Sequence, residues 1–271
     1  MFLPENIDLA YSERYNLSIR LSPNGFSFCI HSPEDPSVFH FQETGLGSVF
    51  SYTDSIKKLI FDHGFFSHTF NRLTVTVVSS LYTLVPDAYF ERGRIEEIFR
   101  FNFHDTEGFV LTDAVSDRGF RILFNVDEEV YSFLSRNLWN PVFRHHSSLL
   151  THLFGTYGGD ERGRCCFADF HDGYVTTVCF SGERLLSVNT FQATDPHEAT
   201  YFIASVWEKL DFDQSVDRLF LSGEIDSRRS VVDLFEKLIR RVERVVVTPV
   251  VTLTEVQNKS LATDMLAVLC V

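Results

Sequence analysis

Residues 165–180, Cys165-Cys166-Phe167-Ala168-Asp169-Phe170-His171-Asp172-Gly173-Tyr174-Val175-Thr176-Thr177-Val178-Cys179-Phe180, read as two β-strands joined by a tight turn. Apolar and β-branched residues fill both arms, and His171-Asp172-Gly173 supplies the residue types that accept a reversing backbone. A third strand over 185–191 follows. Next comes a helix with a clear start: Asp195 as N-cap, Pro196 in the first turn and Glu198 three residues beyond the cap. Phe202, Ile203, Val206 and Leu210 form its apolar face, and Leu219-Phe220-Leu221-Ser222-Gly223 reads as a buried strand ending in a turn. The order is β-β-β-α-β.

The same order occurs earlier in the chain. Leu17, Ile19 and Leu21 alternate with polar residues, Pro23-Asn24-Gly25 interrupts, and Phe26, Phe28 and Ile30 alternate again. The Asn24-Gly25 pair suggests a turn with positive φ. A strand over 38–42, a helix over 53–62 and a buried strand over 73–78 complete the unit. The octet from Ser37 to Thr44 can be laid on that from Ser187 to Thr194 with Ser, Val, Phe, Gln and Thr coinciding, and Gly25 laid on Gly173. This pattern predicts an internal duplication. Between the copies, 88–101 and 128–138 have helical spacing, and 109–115 and 120–126 have strand spacing. After them, Asp226 or Ser227 caps a helix whose apolar face runs through Val231, Leu234, Leu238 and Val242, and a strand over 244–247 follows. The apolar segment 261–271 is expected to dock on the body. The expected domains are 1–150 and 151–271.

With 271 residues, 44% hydrophobic and 23% charged, the chain has a globular composition. Its 28 phenylalanines imply a thick core or a covered surface. The formal charge of −13 opposes binding to a phosphate backbone, and no basic run stands against it. Arg228, Arg229, Arg240 and Arg241 fall on one expected helix among Asp233, Glu236 and Glu243, which reads as a solvated face. Five cysteines without paired spacing indicate neither a disulfide framework nor a zinc ribbon, and fit a reducing cytoplasm. No secretory signal and no apolar run long enough to span a bilayer are present.

His145, His146, His152, Cys165 and Cys166 are too loosely spaced for a metal site. Tyr157-Gly158-Gly159-Asp160 lacks the Lys and Ser/Thr of a phosphate loop and reads as a connector. Asp169, Asp172 and Asp217 are the set a two-metal nuclease would need, disfavoured by the acidic charge. Cys166 and Cys179 lie on apolar strands, where they pack.

The duplicated unit resembles the actin-like ATPase superfamily, a ribonuclease-H-like α/β fold with mixed five-stranded sheets flanked by helices in two lobes. Cys166 to Gly173 resembles the second phosphate loop, where a strand ends in Asp-x-Gly, and Leu219 to Gly223 resembles the adenosine-side strand. The resemblance extends to the cytoplasmic actin-like component of type IV pilus assembly and to an uncharacterised bacterial family of the same fold. It implies a nucleotide site at Asp169, Asp172, Gly173 and Gly223. Departures from the pattern imply that this site is vestigial. The first hairpin offers Leu21-Ser22-Pro23-Asn24-Gly25, with Leu21 where a carboxylate is expected and Pro23 without an amide hydrogen. His171 stands where the superfamily has glycine, and Glu224 follows Gly223 where a second glycine is expected. The expectation is a cytoplasmic, non-catalytic protein-interaction module with no cofactor. Its protein partner is unspecified, and its aromatic content permits a homodimer. The alternative is a divergent ATPase or kinase holding ATP and magnesium through Asp169, Asp172 and Gly223 in a cleft between the lobes.

Overall fold

The computed structural model describes residues 3–47, 49–115, 118–157 and 163–270. They form two compact units: Met1–His146 with Pro249–Lys259, and Ser147–Thr248 with Ser260–Val271.

In the first unit, β1 (Asn16–Ser22), β2 (Gly25–His31) and β3 (Phe39–Gly45) form an antiparallel meander; α1 (Tyr52–His63) then leads to β4 (Arg72–Val77). β4 lies parallel to β1 on its other side and pairs with β8 (Val142–His145), giving the order β3-β2-β1-β4-β8. Between β4 and β8 the chain inserts β5 (Tyr82–Pro86), α2 (Ile95–Asn102), β6 (Phe109–Val115), β7 (Phe120–Val126) and α3 (Glu128–Asn137). The three strands make a separate antiparallel sheet, order β5-β7-β6, whose core is Val85, Phe99, Val110 and Leu123.

The second unit repeats the plan. After α4 (His146–Thr156), the strands β9 (Arg164–His171), β10 (Tyr174–Ser181) and β11 (Arg184–Gln192) form the meander. α5 (Pro196–Lys209), β12 (Arg218–Gly223), α6 (Arg229–Leu238) and β13 (Arg241–Arg244) follow, giving the order β11-β10-β9-β12-β13 with β9, β12 and β13 parallel. α7 (Glu255–Ser260), nearly all of it in the first unit, precedes α8 (Thr263–Val268) of the second, where Leu261, Met265, Leu266 and Leu269 are buried. The capping box at the start of α5 is formed: Asp195 Oδ1 accepts the His197 amide at 2.6 Å and Glu198 Oε2 accepts the Asp195 amide at 3.2 Å.

The duplication is therefore one of topology, and ladder register corrects its residue-level alignment. In the first hairpin Ser22 pairs with Gly25 around Pro23-Asn24, whereas in the second His171 pairs with Tyr174 around Asp172-Gly173. Gly173 thus corresponds to Asn24, not Gly25. Following the ladders outward, Val178 pairs with Val188 and its counterpart Cys29 pairs with Phe41. Val188 consequently matches Phe41, three residues from the Val38 of the sequence overlay. An odd shift would exchange the two faces of the strand, so the five coincident residue types carry no ancestry. The turn mechanism differs too. Asp172 and Gly173 have φ of 47° and 77°, the pattern of a primed hairpin turn, while neither Asn24 nor Gly25 has positive φ. Pro23, whose ring fixes φ negative, sets the first turn instead.

Three smaller expectations also change. β5 and β8 appear where no strand is expected, and the last strand is β13, three residues earlier than its sequence signal. α6 has no side-chain N-cap; residues 226–228 form a 3-10 turn ahead of it. α6 ends at Leu238, so the four arginines do not share a helix, and Arg228 is buried, donating to the Ala193 carbonyl at 3.1 Å.

Candidate nucleotide-loop site

The site lies on the second unit, at the β9–β10 turn and the adjoining end of β12. Strand alternation splits β9 between two environments. Cys166, Ala168 and Phe170 join the apolar core under α5 and α6, with Ala199, Ile203, Trp207 and Phe235. Asp169 and His171 point the other way and are also buried, at 1% and 3% exposure.

Burial of an acid and an imidazole demands partners. Asp169 Oδ1 accepts from the Ser222 hydroxyl at 2.6 Å, and Asp169 Oδ2 is 3.9 Å from His171 Nε2. His171 Nε2 is also 2.9 Å from Thr176 Oγ1, which bonds to Thr190 Oγ1 at 2.9 Å; Ser147 Oγ reaches Thr190 at 3.5 Å. On its flank the His171 ring stacks on Tyr174, with centroids 6.0 Å apart. Burial and the Asp172 charge hold the Tyr174 hydroxyl above its usual pKa. The imidazole therefore occupies a hydroxyl-lined niche within its own unit.

The turn itself is closed by a carboxylate. Glu224 Oε1 accepts the Asp172 amide at 3.2 Å, while the Glu224 amide donates to the Phe170 carbonyl at 2.8 Å. Gly223 has φ of 76°, and a Cβ there would stand 2.1 Å from the Phe170 carbonyl oxygen. The glycine is thus required by a close approach of β12 to β9. Gly173 has φ of 77°, with only Thr194 Cγ2 near, at 3.5 Å. Arg228 places its guanidinium 5.8 Å from the Phe170 ring centroid.

Of the four sequence-predicted residues, Asp172 and Gly173 form the turn, Asp169 lies beneath it and Gly223 lies beside it. Sequence reasoning missed the Thr176, Thr190 and Ser222 hydroxyls that complete the network. A signal is present for Thr176 and Ser222, polar residues on strands that are otherwise mostly apolar and buried. The first-unit counterpart also needs correcting. Register makes Arg20, paired with Ser27 and Thr76, the equivalent of Asp169, paired with Thr176 and Ser222. A buried guanidinium, Arg20 and not Leu21, stands at the first-unit position equivalent to Asp169.

The other constellations do not assemble. Asp217 lies before the start of β12, five residues from Ser222 and so about 16 Å along the strand from Asp169. It accepts the Asp213 amide at 2.8 Å and faces Arg164. Among the described residues no three His, Cys, Asp or Glu side chains converge as a metal-binding group. His145 is buried between Tyr82 and Phe124, and its amide donates to Asp113 at 2.9 Å. Cys166 and Cys179 are cross-strand partners, and their mutual hydrogen bond and burial raise the Cys179 thiol well above its usual pKa. Residues 158–160 of the expected connector lie outside the described residues.

The two five-stranded sheets with one topology define an actin-like ATPase fold. The structure is similar over 97% of this chain and 98% of the other, at TM-score 0.84 and 26% identity, to a Bacteroides thetaiotaomicron protein with actin-like ATPase fold and unknown function. It is also similar to a chain of the PilM-PilN type IV pilus biogenesis complex, at TM-score 0.61 and 13% identity, over 94% of this chain and 96% of that one. The chain belongs to the family described as "Protein of unknown function (DUF3822)", whose model matches residues 4–242. No curated protein matches it. No helix among the described residues is long and apolar enough to cross a membrane.

Proposed function

We propose that this protein is a non-catalytic module of the actin-like fold that acts by binding another protein, with its nucleotide loops vestigial and no cofactor. The observation that carries this reading is the Glu224 carboxylate on the Asp172 amide. In a phosphate loop the turn amides are left for the ligand's anionic oxygens. Here a side-chain anion already uses one, and a triphosphate brought to the same turn would meet that charge. Arg20 adds to the argument, because the first hairpin has no acid at this position to orient magnesium or water. The chain of the PilM-PilN type IV pilus biogenesis complex that shares this fold is part of an assembly, which favours partner binding as the role of this chain. Five free thiols suit a reducing, cytoplasmic setting.

Calorimetric titration with magnesium-ATP tests the reading. The expected result is no saturable heat for the wild-type chain. Micromolar binding that disappears in Asp169→Ala, with turnover, would overturn it and restore the ATPase or kinase alternative.

A further inference from the structure

The apolar spacing of α6 suggests one buried face, yet the structure buries Val231, Val232, Phe235 and Ile239 and leaves Leu234 and Leu238 37% and 48% exposed. Leu238 is one wall of a cleft of about 430 Å³ between α5 and α6, and Ala204 of α5 is the other. Its floor includes Trp207, Phe212 and Phe235, the first two packed at 4.8 Å between ring centroids. The charged groups lining it are both carboxylates, Glu208 and Asp211. They sit at the C-terminal end of α5, where the helix dipole is itself negative. Neither is held in an ion pair among the described residues. Lys209, between them in sequence, does not line the cleft, and the guanidinium of Arg164 behind Phe212 is already engaged, stacking on that ring, facing Asp217 and donating to the Leu210 carbonyl.

The apolar surface continues past the cleft. Leu234 lies one turn before Leu238 on α6, and exposed Tyr201 lies one turn before Ala204 on α5. Two parallel stripes flanking an aromatic floor match the contact face of a helix in a groove. We propose that the α5–α6 cleft docks an amphipathic helical segment of another protein, which presents a bulky apolar residue to the Trp207, Phe212 and Phe235 floor and a Lys or Arg to Glu208 and Asp211. A second copy of this chain is a poor occupant, because each copy carries a charge of −13. The proposal rests on the protein-binding role above and adds its surface and the chemistry of the partner.

The test uses two synthetic amphipathic helices of roughly 15 residues, free of tryptophan, with one apolar face and either Lys or Glu on the flanks. With Trp139→Phe in the chain, emission reports Trp207 alone, since the sequence has two tryptophans. The basic helix is expected to shift Trp207 emission saturably and bind at least about tenfold tighter than its acidic twin. Glu208→Lys with Asp211→Lys should reverse that preference, and Ala204→Phe, which fills the cleft from an exposed position, should abolish binding. No shift with either peptide, equal affinities, or binding indifferent to Ala204→Phe would overturn the proposal. So would a dimer that Ala204→Phe dissolves, which assigns the cleft to a second copy. Nucleotide binding by the wild type would refute the functional reading without altering this titration.

Discussion

Replacing Gly223 and Gly173 separately by alanine distinguishes a glycine held by the fold from one held only by a turn. Both have φ near 77°, so both variants incur left-handed strain of about 1–2 kcal/mol. At Gly173 nothing more is added, because the nearest atom to the new Cβ is a methyl at 3.5 Å. At Gly223 the new Cβ would lie 2.1 Å from the Phe170 carbonyl oxygen and 3.0 Å from Phe170 C and N. These are backbone atoms of the central strand β9 and cannot rotate aside. The strands must part, at an overpacking cost of about 1–3 kcal/mol. The Glu224-to-Phe170 backbone bond weakens with them, adding about 1 kcal/mol. Gly223→Ala should therefore lose about 3–6 kcal/mol against about 1–2 for Gly173→Ala. Urea unfolding followed by circular dichroism gives both values. Losses equal within about 0.5 kcal/mol would refute the claim that β12 and β9 fix this glycine.

Three further outcomes are expected. Burial and the Arg72 charge lower the His31 pKa to about 4, so as pH falls from about 6.5 to 4 the unfolded chain takes up a proton that the folded one refuses. Stability should decline by about 3 kcal/mol across that window, and His31→Gln should flatten the midpoint-versus-pH curve. Asp195→Ala removes the α5 cap and should cost about 1 kcal/mol, visible as faster hydrogen exchange in the first turn of that helix. Asp169→Ala leaves the Ser222 hydroxyl without its acceptor and should lower stability by about 1–3 kcal/mol, with Asp169→Asn milder in the same thermal melts.

Much of the architecture was legible from alternation and capping. Period-two patterns locate β1 and β2, apolar and β-branched runs locate β6, β7, β9 and β10, and Asp195, Pro196 and Glu198 locate the start of α5. Register was not legible. Laying Val38 on Val188 uses residue types, but hydrogen bonds between strands decide equivalence, and Phe41 is the match. The same displacement hid Arg20 behind Leu21. α6 misleads for a different reason: a stripe at helical spacing shows where apolar residues align, not which stripe meets the core. Phe235 and Ile239 take that place, and Leu234 and Leu238 remain at the surface. Within the site, Asp169 stands out in the sequence as a carboxylate on an apolar strand and Gly223 as a glycine ending one. Glu224 was legible as a charge but not as the partner of the Asp172 amide, because that bond joins residues 52 apart in the chain.

The backbone amide resonances of Asp172 and Gly173 test most directly the proposal that this loop no longer takes a nucleotide. In an isotope-labelled chain titrated with magnesium-ATP, both should stay in place while Glu224→Ala alone displaces the Asp172 signal. Saturable movement of both signals with nucleotide in the wild-type chain, abolished by Asp169→Ala, would contradict the account.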